Sequence, residues 1–428
     1  MLAQAVSRRL AASGIHYGWV IVAVTFVVNI SMTGIMGLPG ALILPFEREF
    51  GWSASDISNA LAVRILLYGL IAPFAAAFIE RYGVRRMALG AVALVASMLL
   101  LAQGMSSYWQ LMSLFGIGLG LGTGITALSM SAIVATRWFT ARRGLVLGML
   151  TASTATGQLL FLPFAAWLES HWGWRSALLP SVGALGFAAL LVALFTAERP
   201  GDLGLNAYGE TGPIPPVSTA RPGFGAPFRV LAEVSGSLTF WVLVFTFFVC
   251  GLSTNGLVQT HFISLCADYG VPAVTAASML ALIGVCDFFG TIGSGWLSDR
   301  YDNRALLFVY YGLRGLSLLY LPFSSFSLYA LSIFSVFYGL DWVATVPPTV
   351  RLTANSFGRE RTGVVFGWVF ASHMVGAAFA AALGGFARTQ WQTYLPAFYL
   401  GGFACLFAAL SVWLINRRRE TLALQPAE

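Results

Sequence analysis

Lysine is absent from this chain of 428 residues; all 24 basic residues are arginine. Charge of either sign is scarce, with 10% of residues Asp, Glu, Lys or Arg, where soluble globular proteins carry about 25%. So small a charged fraction cannot cover a 45.9 kDa globule, which excludes an ordinary cytosolic enzyme and a disordered chain. Without lysine there is no G-x-x-x-x-G-K-[ST] phosphate loop, so no nucleotide site and no cofactor are expected. Cysteine is sparse too. Cys250, Cys266, Cys286 and Cys405 stand singly in or beside apolar segments, without metal-ligand spacing, and read as small packing residues. The net charge of +7 does not mark a nucleic-acid binder, because the arginines sit in short clusters between apolar runs. Near the start, Arg8 and Arg9 precede no short apolar run ending in a cleavage site, so the first span is expected to be retained.

What abounds is apolar sequence: 58% of residues are hydrophobic and mean hydropathy is +0.78. Runs such as Met87 to Ala102 suit membrane helices of about 20 residues, not the ~10-residue alternating strands of an outer-membrane barrel. The pattern predicts an all-α polytopic membrane protein with about twelve spans. They fall at 17–46, 56–79, 84–104, 108–136, 142–168, 174–196, 237–267, 272–297, 304–323, 326–353, 360–387 and 393–416. Residues 197–236 are rich in proline, glycine and arginine and read as a linker between two six-helix bundles, 1–196 and 237–428. Pro163 and the pair Pro347 and Pro348 are expected to kink their helices. With the chain start placed inside, 19 arginines fall in inward segments, against Arg48, Arg175 and Arg388 outside. That asymmetry predicts cytoplasmic termini and a cytoplasmic linker.

The halves repeat. Glu80-Arg81-Tyr82 recurs as Asp299-Arg300-Tyr301, an offset of 219. At the same offset Arg142, Gly144, Gly148, Ser153 and Gly157 match Arg361, Gly363, Gly367, Ser372 and Gly376. Six spans per copy with both ends inside make the repeats parallel, related by an axis along the membrane normal.

The chain here resembles the major facilitator superfamily. The signature between its second and third helices is a G-x-L-[AS]-D-R-x-G-R-R-like loop. Gly295-Trp296-Leu297-Ser298-Asp299-Arg300-Tyr301-Asp302-Asn303-Arg304 is similar to it, with Asp302 where glycine is usual. The first copy, Ala76 to Arg85, keeps Glu80, Arg81, Gly83 and Arg85. The resemblance implies that Glu80, Arg81, Arg85, Asp299, Arg300 and Arg304 control a gate rather than bind substrate. Gly18-Trp19, Glu49-Phe50-Gly51-Trp52-Ser53 and the run Phe115 to Gly124 are similar to the bacterial monocarboxylate and oxalate–formate carriers. Those carriers often have Asp-x-x-x-Arg on the eighth helix; Asp287 matches the aspartate, and Thr291 stands at the arginine. The Gly-Pro motif of drug–proton antiporters is missing from Leu150 to Pro163.

Ionisable groups at mid-bilayer cost about 2.5–3.5 kcal/mol or more, so each needs a reason. Arg64, Asp287, Arg314 and Asp341 fall inside predicted spans, with His261 and His373. Arg64 and Tyr68 share a helical face and could receive an anion; the alternative is an arginine that bonds helix-end carbonyls. Asp287, Thr291 and Ser294 form a polar stripe at i, i+4, i+7. Arg314 is expected between Asp287 and Asp341, a cluster in which either aspartate could carry a proton. Asn255 and Gln259 share a face, and with Gln158 and His373 they are candidate substrate contacts. The resulting expectation is a secondary transporter of the bacterial cytoplasmic membrane, monomeric, taking up a small organic anion such as a monocarboxylate with a proton. Proton-driven efflux of a drug-like or toxic compound is the alternative, and a non-transporting receptor or sensor the third.

Overall fold

The computed structural model describes residues 2–126, 128–210, 225–358 and 361–415; a few further side chains, Glu80 and Gln158 among them, fall outside the described set. Among the described residues the elements are helical, apart from an isolated pairing of Phe139 with Tyr208. Six long helices form the first half: α1 (Gly18–Phe50), α2 (Ala54–Tyr82), α3 (Val84–Ala102), α4 (Tyr108–Trp138), α5 (Arg143–Trp172) and α6 (Trp174–Phe195). Six more form the second: α7 (Leu238–Asp268), α8 (Ala273–Ser298), α9 (Asn303–Phe323), α10 (Leu328–Phe357), α11 (Thr362–Trp391) and α12 (Leu395–Leu414). Eleven of them are apolar and long enough to cross a bilayer as described. The twelfth, α5, has 30 residues and no charge over 144–168. The sequence repeat is a structural repeat: α5 and α11 are both 30 residues long and begin 219 residues apart.

Burial divides the chain in two. One apolar core joins α1 to α6, and a second joins α7 to α12, taking in Ala41, Leu162 and Ala166 from the first half. Between them α2 packs along α11, α5 along α8 and α1 along α7. A small cluster of Ile65, Met374, Ala377, Ala378 and Ala381 fills the α2–α11 seam. The α7 apolar window is 72% buried and that of α6 28%, which puts α7 at the centre and α6 at the rim. The rim helices α3, α6, α9 and α12 expose Leu101, Leu190, Leu316 and Phe407, surface that only a bilayer would cover.

The first helix of each group of three is irregular. Pro39 and Pro45 lie inside α1; α4 and α7 contain the π-helical segments Met112–Gly118 and Leu252–Val258; α10 is broken at residues 342–345. Each irregularity frees backbone groups that need other partners. At the helix ends the repeat is kept with exchanged parts. Asp302 caps α9, accepting from Arg304 N at 2.9 Å. Its counterpart Gly83 has φ +90°, and the carboxylate at α3 comes instead from Glu198, which accepts from Val84 N and Arg85 N at 2.6 and 3.0 Å. A Cβ on residue 83 would lie 2.6 Å from Glu198 Oε1, so glycine serves both the dihedral and the space.

Of the 197–236 stretch, 200–208 pack on the first half, where Tyr208 N donates to Trp138 O at 2.8 Å. The short helix Ala226–Val234 packs on α11, with Trp368 Nε1 donating to Pro227 O at 3.0 Å.

Candidate functional site

Two buried polar groupings lie in the second half, and they meet at α7. The first surrounds the break in α10. Arg314 on α9 is fully buried; its Nε donates to Asp341 Oδ2 at 2.7 Å, its Nη2 to Asp341 O and to Trp342 O, and its Nη1 to Cys250 Sγ at 3.0 Å. Asp287 on α8 is not paired with this guanidinium. Its Oδ1 accepts from Val343 N and from Thr291 Oγ1, both at 2.9 Å. Ser294, one step further along the same stripe, donates to Ala344 O at 2.5 Å. The expected Asp–Arg–Asp cluster is therefore one ion pair plus an aspartate that caps a backbone N–H. The reason is the break itself, whose amides and carbonyls outcompete a second ion pair. Asp341 Oδ1 stays buried without a partner among the described residues.

The second grouping starts at the π-helical segment of α7. His373 Nε2 on α11 lies 3.0 Å from Asn255 Oδ1, and Asn255 Nδ2 donates to Gln259 Oε1. With the donors in that order, Nε2 carries the imidazole proton, Gln259 Nε2 is a donor left open, and His373 Nδ1 is an acceptor. Gln259 Nε2 is buried without a partner among the described residues, whereas the His373 ring interacts with the Cys250 thiol. The His373 ring stacks on Phe370 at 5.7 Å and lies 5.1 Å from Phe247. Phe370 in turn lies 6.3 Å from the Tyr68 ring on α2, across the seam. The groupings are joined by α7: Cys250 Sγ lies 3.4 Å from Thr345 Oγ1, and Tyr338 OH on α10 donates to Ser253 O at 2.8 Å.

Arg64 completes the picture from the first half. It is 4% exposed, and its Nη1 and Nη2 donate to Ile35 O at 3.4 Å and Met36 O at 3.1 Å on α1. The cause is Pro39: having no N–H, it leaves the carbonyl of Ile35 unpaired inside the helix. Arg64 Nε remains buried without a partner among the described residues. Gln259 Nε2 borders the same stretch of α1, since a side chain at Gly37 would meet it at 3.9 Å. Arg64 Nε and Gln259 Nε2 are thus two unmatched N–H groups from α2 and α7, and His373 stands on α11; these are three of the six helices along which the halves touch.

His261 lies elsewhere. It is fully buried with Nε2 2.8 Å from Ala381 O and its ring 5.0 Å from Tyr394, the setting of a packing residue. Glu80 and Gln158 lie outside the described side chains. Asp299, Arg304 and Arg85 of the signature residues join helices within a half. Asp299 at the end of α8 pairs with Arg351 on α10, and Arg300 lies 4.1 Å over the Trp296 ring. Arg304 Nη1 donates to Ile415 O at 3.1 Å, while its repeat mate Arg85 donates to Ala193 O at the end of α6. Arg81 lies 5.6 Å from the Tyr82 ring. Asp299→Asn should therefore slow transport, up to about fivefold for an exposed pair worth at most about 1 kcal/mol, and leave equilibrium binding of substrate unchanged. Comparing turnover with equilibrium affinity checks this; lost binding at unchanged turnover would contradict it.

A sequence profile of the Major Facilitator Superfamily matches residues 24–350. The chain belongs to that superfamily. It is a multi-pass membrane protein of a transporter family, with the all-α fold of two six-helix bundles. One relative, the uncharacterised MFS-type transporter YcxA of Bacillus subtilis, is 27% identical over 385 residues, 88% of this chain and 90% of its own length. Monocarboxylate transporter 13 of Rattus norvegicus is 25% identical over 90% of this chain and 86% of its own. A crystal structure of a D-xylose-proton symporter superposes with a TM-score of 0.71 at 14% identity, covering 94% of this chain and 99% of that one. That last likeness establishes the fold alone.

Sequence reasoning missed Cys250 as a partner of Arg314, the α7–α10 bond from Tyr338, and the aromatic faces of Phe247 and Phe370. Pro39 inside an apolar run was the one available signal for the Arg64 contact, because a helix-interior proline announces an unpaired carbonyl.

Proposed function

We propose that this superfamily member is a secondary transporter that takes up a small organic anion, a monocarboxylate, together with a proton. The carrying observation is the pair of buried, unmatched N–H groups, Arg64 Nε and Gln259 Nε2, on helices at the contact between the halves. Arg64 and Gln259 offer N–H groups to a carboxylate, and His373, bonded to Asn255, is assigned to the same site. Tyr68, Asn255 and Gln158 are assigned to the same site, Tyr68 and Phe370 walling it and Asn255 holding both neighbours. The relatives named as monocarboxylate transporters support the substrate class.

The proton is assigned to Asp341. Its Oδ1 is a buried oxygen lacking a hydrogen-bond donor, the place where an added proton meets least competition. Around it stand Arg314 from α9, Cys250 from α7, Asp287 from α8 and Tyr338 on α10 itself. Movement of Arg314 relative to this carboxylate would alter its proton affinity, which is what coupling requires. The two bundles, 1–196 and 237–428, rock about the site by alternating access with 197–236 as their connection, and the signature residues Glu80, Arg81, Arg85, Asp299, Arg300 and Arg304 are assigned to the gate. Arginine asymmetry supports a bacterial cytoplasmic membrane with both termini inside, and a single chain suffices for the pathway.

The test is flux in proteoliposomes under an imposed pH gradient. Accumulation of a labelled monocarboxylate driven by an inward proton gradient is expected. Exchange of an amphipathic compound against protons would replace this reading with efflux. Absence of flux across a broad panel would favour a receptor.

A further inference from the structure

The break in α10 leaves an unusual number of backbone groups to be matched in the membrane interior, and three side chains from two other helices meet that need. Asp287 Oδ1 accepts from Val343 N at 2.9 Å, Ser294 Oγ donates to Ala344 O at 2.5 Å, and Arg314 Nη2 donates to the carbonyls of Asp341 and Trp342. Thr291 bonds Asp287 Oδ1 at 2.9 Å and so fixes its rotamer. Nothing in this arrangement uses a proton on Asp287, and the acceptor role engages one of its two oxygens.

We infer that Asp287 is a positioning residue: with Ser294 and Arg314 it forms a brace that fixes the broken segment 342–345 of α10, and it is not the group that carries the proton. The brace acts through Asp341, the last residue before the break, and through α7. Thr345 lies against Cys250 Sγ at 3.4 Å, and Tyr338 OH reaches Ser253 O at 2.8 Å. Ser253 belongs to the π-helical segment that also presents Asn255 to His373. The braced segment is therefore hydrogen-bonded to Arg314, the partner of Asp341, and through Thr345 to α7, the helix that carries Asn255 and Gln259. The inference rests on the reading of Asp341 as the proton site, and it makes the two aspartates unequal.

Asparagine separates the possibilities, because its Oδ1 keeps the acceptor for Val343 N and Thr291 while losing the titrating group. Asp287→Asn should retain gradient-driven accumulation with an unshifted pH profile. Asp287→Ala should lose it. Hydrogen–deuterium exchange of the 341–346 segment in detergent-solubilised full-length protein needs no substrate, so it stands even if the proposed cargo is wrong. There Asp287→Asn should match the natural protein. Asp287→Ala should exchange about tenfold faster or more, the equivalent of one lost hydrogen bond to a charged group, and Ser294→Ala, used if Asp287→Ala does not fold, about two- to tenfold faster, the equivalent of one lost neutral hydrogen bond. Uncoupling by Asp287→Asn, with exchange at equal pH preserved, would overturn the inference and make Asp287 the proton carrier. Unchanged hydrogen exchange in Asp287→Ala or Ser294→Ala would overturn the brace.

Discussion

Arg314→Ala is expected to remove most folded protein from the membrane. The guanidinium is fully buried and serves the Asp341 carboxylate, two carbonyls at the α10 break and the Cys250 sulfur at once. Truncation strands a buried carboxylate and reopens the break, and loss of one partner from a buried pair costs about 3–5 kcal/mol, a large share of the roughly 5–15 kcal/mol typical of a folded domain. Lysine should rescue little, since one ammonium cannot reach acceptors arranged around a planar fork. Combining Arg314→Ala with Asp341→Asn should recover part of the loss by removing the stranded charge. Thermal unfolding of detergent-solubilised protein, followed by size-exclusion chromatography, reads all three variants. Equal stability of the single and double variants would mean that the pair is energetically idle.

Arg64→Gln is the second large effect. Loss of the charge removes an anion contact worth about 1.5–3 kcal/mol, or roughly a 10- to 150-fold fall in affinity. Glutamine can still donate to one of the Ile35 and Met36 carbonyls, so the α1 contact should weaken without failing. Arg64→Lys should restore affinity only in part, for want of a second prong. Substrate protection against thermal unfolding measures the affinity without transport. If both variants bind as the natural protein does, Arg64 serves only the carbonyls freed by Pro39.

The membrane spans were legible because an apolar run of about 20 residues has no other use. The sixth was expected at 174–196 and is observed at Trp174–Phe195. The first runs four residues past its expected end at 46, to Phe50. Polarity hid this, because Glu49 stays helical while its carboxylate accepts from Trp174 Nε1 and Arg175 Nη1, both at 2.6 Å. The candidate site was legible one helix at a time. Asn255 and Gln259 could be paired by their i, i+4 spacing, and the stripe Asp287, Thr291, Ser294 by its period. The object each stripe faced could not be read. Nothing in the spacing says that His373 meets Asn255, because that contact crosses from α11 to α7. Nor could the α10 break be foreseen as the target of Asp287, since Pro347 and Pro348 hint at a disturbance without saying which backbone groups it frees. Arg314 was expected to hold two carboxylates because charge neutrality suggested it, yet the backbone took one of them.

The most direct measurement of the central claim follows protons and substrate together. Proteoliposomes loaded with a pH-sensitive dye would receive a labelled monocarboxylate at equal starting pH. The account predicts that the lumen acidifies as the label enters, and that Asp341→Asn abolishes the acidification and the gradient-driven uptake while label exchange at equal pH persists. Label entry without acidification in the natural protein, or full acidification in Asp341→Asn, would contradict it.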